Sequence, residues 1–226
     1  MNRIFVDFEM HPISKDYFEQ RQVWKYEIIE FGAVMLDEDG NEMDSFKSYV
    51  QPQFMKRYSG MIKDLTGISE ESLLAASGFK TVLDKFVSWC CSKGQEFTVY
   101  AWSDSDLIQI MREMELKGIP CKGDDLDYTL SHWIDFQKEF TNLIGFDRPL
   151  SLKDALVYGG ILPEGHLHDA LWDARNTAEL FRQVQNPEEY KDVISRIKEA
   201  MKPKKSLGSS LGELFDLGLL VFPEAV

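Results

Sequence analysis

The sequence predicts an α/β fold, with a mixed five-stranded sheet (an antiparallel meander plus parallel strands) flanked by helices. Three observations lead there. Three strand-like segments joined by short connections come first, at 3–10, 27–36 and 41–50. Strand and helix patterns then alternate, and the last third reads as helices alone.

Each element has its own warrant. Residues 3–10 run Arg-Ile-Phe-Val-Asp-Phe-Glu-Met. Side chains alternate faces along a strand, so Ile4, Val6, Phe8 and Met10 share one face and Phe5, Asp7 and Glu9 the other. Asp7 and Glu9 are then about 7 Å apart at the backbone, a spacing that suits one hard cation or a pair. Desolvating two unpaired carboxylates is costly. The strand is therefore either a metal-binding one or a solvated acidic edge, and taken alone it does not decide. Residues 11–25 read as a polar, aromatic-containing loop. Strand 27–36 follows, then a turn closing on Asp39-Gly40, then strand 41–50.

Pro52 breaks the sheet. Residues 54–68 read as helical in part, and Ser69 caps a short helix at 70–76. Val82, Leu83, Phe86, Val87 and Cys90 give 79–92 an amphipathic helical spacing, ended by Gly94. Residues 97–102 form a fourth strand. Ser103 or Asp104 caps a helix over 106–117, which Gly118 and Pro120 stop. A fifth strand is expected within 126–136, ending near Trp133-Ile134-Asp135. Helices follow at 151–158, 168–184 and 187–201, the last with Pro at its start. The expected division is a domain over 1–201 and then, over 202–226, a basic linker with an apolar tail.

The chain of 226 residues is 44% hydrophobic and 28% charged, an ordinary globular balance. No apolar run approaches the ~20 residues of a membrane span, and no secretory leader pattern opens the sequence, so no membrane association is expected. Three cysteines without a CxxC pair fit reduced thiols and a cytoplasmic location. The net charge of −13 argues against tight, sequence-blind binding of long nucleic acid. It leaves room for an enzyme that grips a strand end, because bound metal can supply the positive charge.

Further acids answer the first pair. Asp106 opens a helix after a strand, where ligands of α/β sheets collect. Asp104 satisfies the helix-start rule equally well, but position favours Asp106. Asp173 shares a helix face with Thr177, Leu180, Phe181 and Val184, and no Lys or Arg lies on that stripe to pair with it. His168 stands at the mouth of the same helix and can take a proton at neutral pH. His166 is its rival.

Asp7-x-Glu9 on a first strand, Asp106 opening a middle helix, and His168-x4-Asp173 at a late helix form an ordered set. Together they resemble the DEDDh 3′→5′ exonucleases of the DnaQ-like, RNase H-fold superfamily. The stretch 168–178 is close to that family's His-x-Ala-x-x-Asp-Ala-x-x-x-Ala pattern. Segments 26–32, 65–68 and 132–136 are similar to the Eri-type and KapD-like branch. The resemblance covers roughly 3–185. It departs at Ser103, where the family usually has Gly, and at Trp172, where an acid is common.

The resemblance implies an RNase H-like sheet and a site in which Asp7, Glu9, Asp106 and Asp173 hold two divalent ions, Mg²⁺ or Mn²⁺, with His168 as general base. Such a pair of ions activates a water and offsets charge on the departing oxygen. The implied reaction releases nucleoside 5′-monophosphates from single-stranded 3′ ends, RNA in preference to DNA. Thr66, Gly67 and Ile68 would abut the terminal nucleotide, with Met10 on its sugar. Tyr17, Phe18, Trp24 and Tyr26 are candidates for base stacking. A proofreading DNA exonuclease subunit is one alternative, with residues 207–222 docking on a protein partner through Leu211, Leu214, Phe215, Leu219 and Leu220. A catalytically inert nucleic-acid-binding protein on the same fold is another.

Overall fold

Residues 1–94 and 96–202 are described in a computed structural model of the chain. β1 (Asn2–Pro12), β2 (Tyr26–Leu36) and β3 (Glu42–Gln51) make the antiparallel meander. β5 (Phe97–Ala101) lies parallel to β1, and β6 (Trp133–Asp135) parallel to β5. The sheet has six strands rather than five, in the order β4-β3-β2-β1-β5-β6. The additional strand, β4 (Ser77–Gly78), adds two residues to the edge at β3. Two small polar residues carry no apolar period, so nothing in the sequence marks them.

The helices are α1 (Phe18–Val23), α2 (Gly60–Thr66), α3 (Glu70–Ala75), α4 (Phe79–Cys90) and α5 (Ser105–Leu116), then α6 (Asp124–Ser131), α7 (Phe136–Ile144), α8 (Leu152–Gly159), α9 (Ala170–Gln185) and α10 (Pro187–Ala200). Three differ from expectation. The strand expected within 126–136 shrinks to the three residues of β6, because Asp124, Asp125 and Asp127 favour a helix N-terminus ahead of it. α7 buries Phe136, Phe140 and Ile144, spaced four apart, and the Asp135 carboxylate caps it by accepting the Lys138 N–H at 2.9 Å. α1 occupies part of the expected loop 11–25, and β1 runs on to Pro12. The apolar segment 207–222 lies outside the described residues. No helix among the described residues is long and apolar enough to cross a membrane.

The alternation in β1 divides the core as it must. Ile4, Val6 and Phe8 pack with α4 and α5, around Phe31, Phe86 and Ile110. Phe5 packs on the opposite face with α7, α9 and α10, around Phe136, Phe181 and Ile197. Asp7 and Glu9 continue the Phe5 face beyond that core. A bulge sits here: Glu9 opposes Glu30 and Met10 opposes Ile28, so Ile29 has no partner across the pair. Ile29 instead buries against Ile62, Ile68 and Leu73.

Candidate active site

An open cleft of about 390 Å³ lies where β1, α5 and α9 meet. Asp7, Glu9, Met10, Asp106, His168 and Asp173 all line it. Asp106 is 4% exposed and belongs to the first turn of α5, whereas Asp104 is exposed and outside the cleft. His168 is likewise the cleft histidine; the ring of His166 turns to the Leu167 carbonyl at 2.6 Å. Glu9, His168 and Asp173 come closest, with one ligand atom from each within 4.8 Å of the others. Nδ1 of His168 lies 3.9 Å from Glu9 Oε1.

The electrostatics are those of a site built for cations. Burial pushes Glu9 up to about 9, and the charges of Asp173, Glu30 and Asp106 add to that. Burial raises Asp106 to about 7, held back by an amide hydrogen bond from Phe8. Asp7, at the cleft floor, is raised well above the usual carboxylate range by burial and then by Asp106, Glu9 and Asp173. Asp173 Oδ2 accepts the His168 N–H at 2.9 Å. Its Oδ1 is buried with no hydrogen-bond partner among the described residues. A buried carboxylate oxygen left unpaired beside three other carboxylates is what a metal ligand looks like without its metal. No cysteine lines the cleft. The donors are therefore carboxylates and one imidazole, which fits Mg²⁺ or Mn²⁺.

What aims Asp173 and His168 is a seat on the sheet that the first turn of α9 occupies. Gly32 on β2 stands between Asp7 on β1 and Lys47 on β3. A Cβ on Gly32 would come 2.1 Å from the Ala170 carbonyl carbon and the Leu171 nitrogen. Only a residue without a side chain lets the helix backbone settle there. Two charged groups hold it down. Glu30, 1% exposed, accepts the Ala170 N–H at 3.3 Å. Lys47 Nζ bridges Glu30 at 3.0 Å and Asp169 at 2.5 Å. Asp169 caps α9 through the Leu171 and Trp172 amides at 3.2 and 3.3 Å. Lys47 also offsets the like charges that Glu9 and Glu30 set directly opposite each other. His168 itself adopts φ 65°, the one non-glycine residue with positive φ among the described residues. That left-handed backbone is held locally by the bond to Asp173.

The two departures from the family pattern fall differently. Ser103 lines the cleft, its hydroxyl 2.5 Å from that of Ser105. Trp172 does not line it; the indole packs over Gly165 and beneath the Arg175 guanidinium, 5.0 Å away. Thr66, Gly67 and Ile68 sit at the end of α2, outside the cleft lining. Thr66 and Ile68 are buried, and Gly67, at φ 72°, ends the helix. Tyr58 braces this segment. Its hydroxyl donates to the Ile68 carbonyl at 3.0 Å, and the charges of Glu30 and Glu9, after burial, raise its pKa. Of the stacking candidates, Phe18 and Tyr26 are exposed, Tyr17 leans on Phe54, and Trp24 donates to Gln109 Oε1 at 2.6 Å.

Tyr58, Lys47 and Lys153 carry no motif in the sequence, whereas Glu30 and Gly32 fall inside the segment 26–32 without being singled out there. Lys153, at the start of α8, brings positive charge to the cleft wall and is exposed, with no carboxylate within 4 Å among the described residues.

The profile of a family described as exonuclease (RNase_T) matches residues 4–181. The chain is 30% identical to a Danio rerio protein named ERI1 exoribonuclease 2 over 80% of this chain and 34% of that one. It is 27% identical to the probable 3′-5′ exonuclease KapD of Bacillus subtilis (strain 168), over 95% of this chain and 93% of that one. The chain thus spans only about a third of the Danio rerio relative. The nuclease domain of 3′hExo, a DEDDh family member solved with rAMP, superposes with a TM-score of 0.69 at 24% identity, over 83% of this chain and 94% of that one.

Proposed function

The chain belongs to the exonuclease family whose profile it matches over residues 4–181; from that premise we propose that it is a divalent-metal-dependent 3′→5′ exonuclease. It removes nucleoside 5′-monophosphates from single-stranded 3′ ends and acts on RNA in preference to DNA. One observation carries the reading. Four carboxylates converge on one cleft without a cationic partner for Asp173, whose buried Oδ1 is left unpaired. Asp7, Glu9, Asp106 and Asp173 would hold two ions, Mg²⁺ or Mn²⁺, which supply Lewis acidity toward the attacking water and the departing oxygen.

The chain's own residues do the rest. His168, with half its side chain exposed, faces the same cleft as Glu9 and Asp173. It takes the proton from the attacking water. Its backbone N–H fixes Asp173, so base and ligand move as one unit. Met10 meets the terminal sugar from the cleft wall, and Lys153 pairs with a phosphate oxygen. Thr66, Gly67 and Ile68, braced by Tyr58, border the terminal nucleotide. The RNA preference rests on the names of the relatives, among them an exoribonuclease.

Asp7→Ala and Asp173→Ala test this. Each is expected to abolish release of mononucleotides while the far-UV circular dichroism stays unchanged. Full activity in either would overturn the assignment. Matched RNA and DNA oligonucleotides test the preference, and a rate ratio at or below one would overturn that part alone.

A further inference from the structure

The charge of this protein is unevenly spread. The whole chain carries −13. Residues 12–26 and 52–68 carry Lys15, Arg21, Lys25, Lys56, Arg57 and Lys63 against Asp16, Glu19 and Asp64, a net of +3, so the remainder carries −16. Among the described residues, one ion pair lies inside this set, Lys56 with Asp16 at 3.6 Å. All these cations except Arg21 are exposed.

The two segments form one surface. The Ser14 N–H donates to the Phe54 carbonyl, and the Lys56 N–H to Ser14 Oγ, both at 2.9 Å. Tyr17 packs edge-on against Phe54 at 5.3 Å. Glu27, 1% exposed, accepts the Gln53 and Phe54 amides at 2.8 and 2.7 Å and is itself paired with Lys117 at 2.9 Å. A buried, fully used carboxylate therefore fixes the second segment where it lies. The surface joins the cleft through adjacent residues. Met10 lines the cleft, and His11 accepts the Ser59 N–H on its Nε2 at 3.1 Å. Phe18 and Met61 stand out among the cations, 70% and 72% exposed.

We propose that this basic face is the track for the nucleic-acid strand upstream of the nucleotide held in the cleft. Lys15, Lys25, Arg57 and Lys63 meet successive phosphates, and Phe18 and Met61 give the bases an apolar, sequence-tolerant platform. The inference rests on the exonuclease reading, which says what occupies the cleft. A strand whose 3′ end sits among four carboxylates must leave past some surface, and a polyanion leaves most favourably along a positive face of an acidic protein.

The test measures binding apart from turnover. A fluorescein-labelled 12-mer and a 3-mer of single-stranded RNA are titrated with the full chain in EDTA at 50 and 200 mM salt. The 12-mer is expected to bind at least ten times more tightly than the 3-mer. Lys15→Glu/Arg57→Glu/Lys63→Glu should remove most of that gain. Each lost phosphate contact on a single strand lowers the salt slope by about 0.7, so three lower it by about 2, or roughly 20-fold in affinity across this fourfold salt range. Lys85→Glu/Lys122→Glu/Lys198→Glu makes the same change in net charge with no residue in either loop, and should leave the length dependence intact. Equal effects of the two triple variants, or none from the first, would overturn the track. So would a wild-type protein that binds a polyglutamate peptide here but no oligonucleotide. Hydrolysis of a dinucleotide with Mg²⁺ reads the exonuclease assignment separately, since it needs only the cleft.

Discussion

Gly32→Ala is the substitution that most directly probes how the site is assembled. The added methyl would meet backbone, the Ala170 carbonyl carbon and the Leu171 nitrogen at 2.1 Å, and no flexible side chain is there to give way. Reaching an ordinary contact of 3.4 Å requires the first turn of α9 to lift by about 1.3 Å from β2. Overpacking of this kind costs about 1–3 kcal/mol of stability. Lifting also lengthens the bond from Ala170 to Glu30, which at 3.3 Å has no slack. Asp173 and His168 ride on that turn, whereas Asp7, Glu9 and Asp106 stay with β1 and α5. A misplacement of 1 Å between reacting groups can cost about 100-fold in rate. The expected result is a kcat lowered about 100-fold, a weaker apparent Mg²⁺ affinity, and a KM that changes far less, because Met10 and Lys153 do not belong to α9. Single-turnover cleavage of a labelled oligonucleotide across a Mg²⁺ series reads all three. A variant with kcat within twofold of the parent would refute the argument that Gly32 seats the site.

Other outcomes follow from the same geometry. In EDTA, Glu9 at about 9 and Asp106 at about 7 both lie above their unfolded carboxylate values. The folded state then holds protons that the unfolded chain has already released, so stability falls as pH rises from about 4.5 through 9; thermal melts should show this slope and its flattening by Mg²⁺, and a flat melt in EDTA would contradict it. Asp106→Asn removes a charge that burial opposes, so it should raise the metal-free melting temperature at pH 8 while abolishing the Mg²⁺ increment. Lys47→Met leaves Glu30 buried without its cation and frees Asp169, at an expected cost of roughly 1–3 kcal/mol in denaturant unfolding. Its loss of activity should be partly restored by Lys47→Arg. Lys153→Ala should raise KM with little change in kcat, as loss of a phosphate contact predicts.

Asp7, Glu9 and Asp173 stand out in the sequence because each breaks a local rule, two carboxylates in an apolar strand and one on the apolar face of a helix, whereas Asp106 and His168 take their weight from the ordered set they complete. The meander was readable for the converse reason, since 27–36 is apolar throughout and ends on an Asp-Gly turn. What escaped was non-local. Lys47 sits in a half-exposed strand and gains its role only when β3 brings it beside Glu30 and the start of α9. Tyr58 gains its role from the chain reversal at α2 that returns Ile68 to its hydroxyl. The fifth strand is found where the sequence puts its end, at Trp133–Asp135, but helices α6 and α7 stand on either side of it, and so short a strand leaves little period to read.

The proposed activity is the cutting of nucleotides from a 3′ end in the cleft with divalent metal. The measurement that tests it most directly uses one single-stranded RNA labelled at its 5′ end and, separately, at its 3′ end. Each is incubated with the full chain in Mg²⁺, Mn²⁺ or EDTA. The expected result is a ladder shortening from the 3′ end on the 5′-labelled strand, immediate release of labelled mononucleotide from the other, and neither in EDTA. Internal fragments, shortening from the 5′ end, or no cleavage with either ion would contradict it.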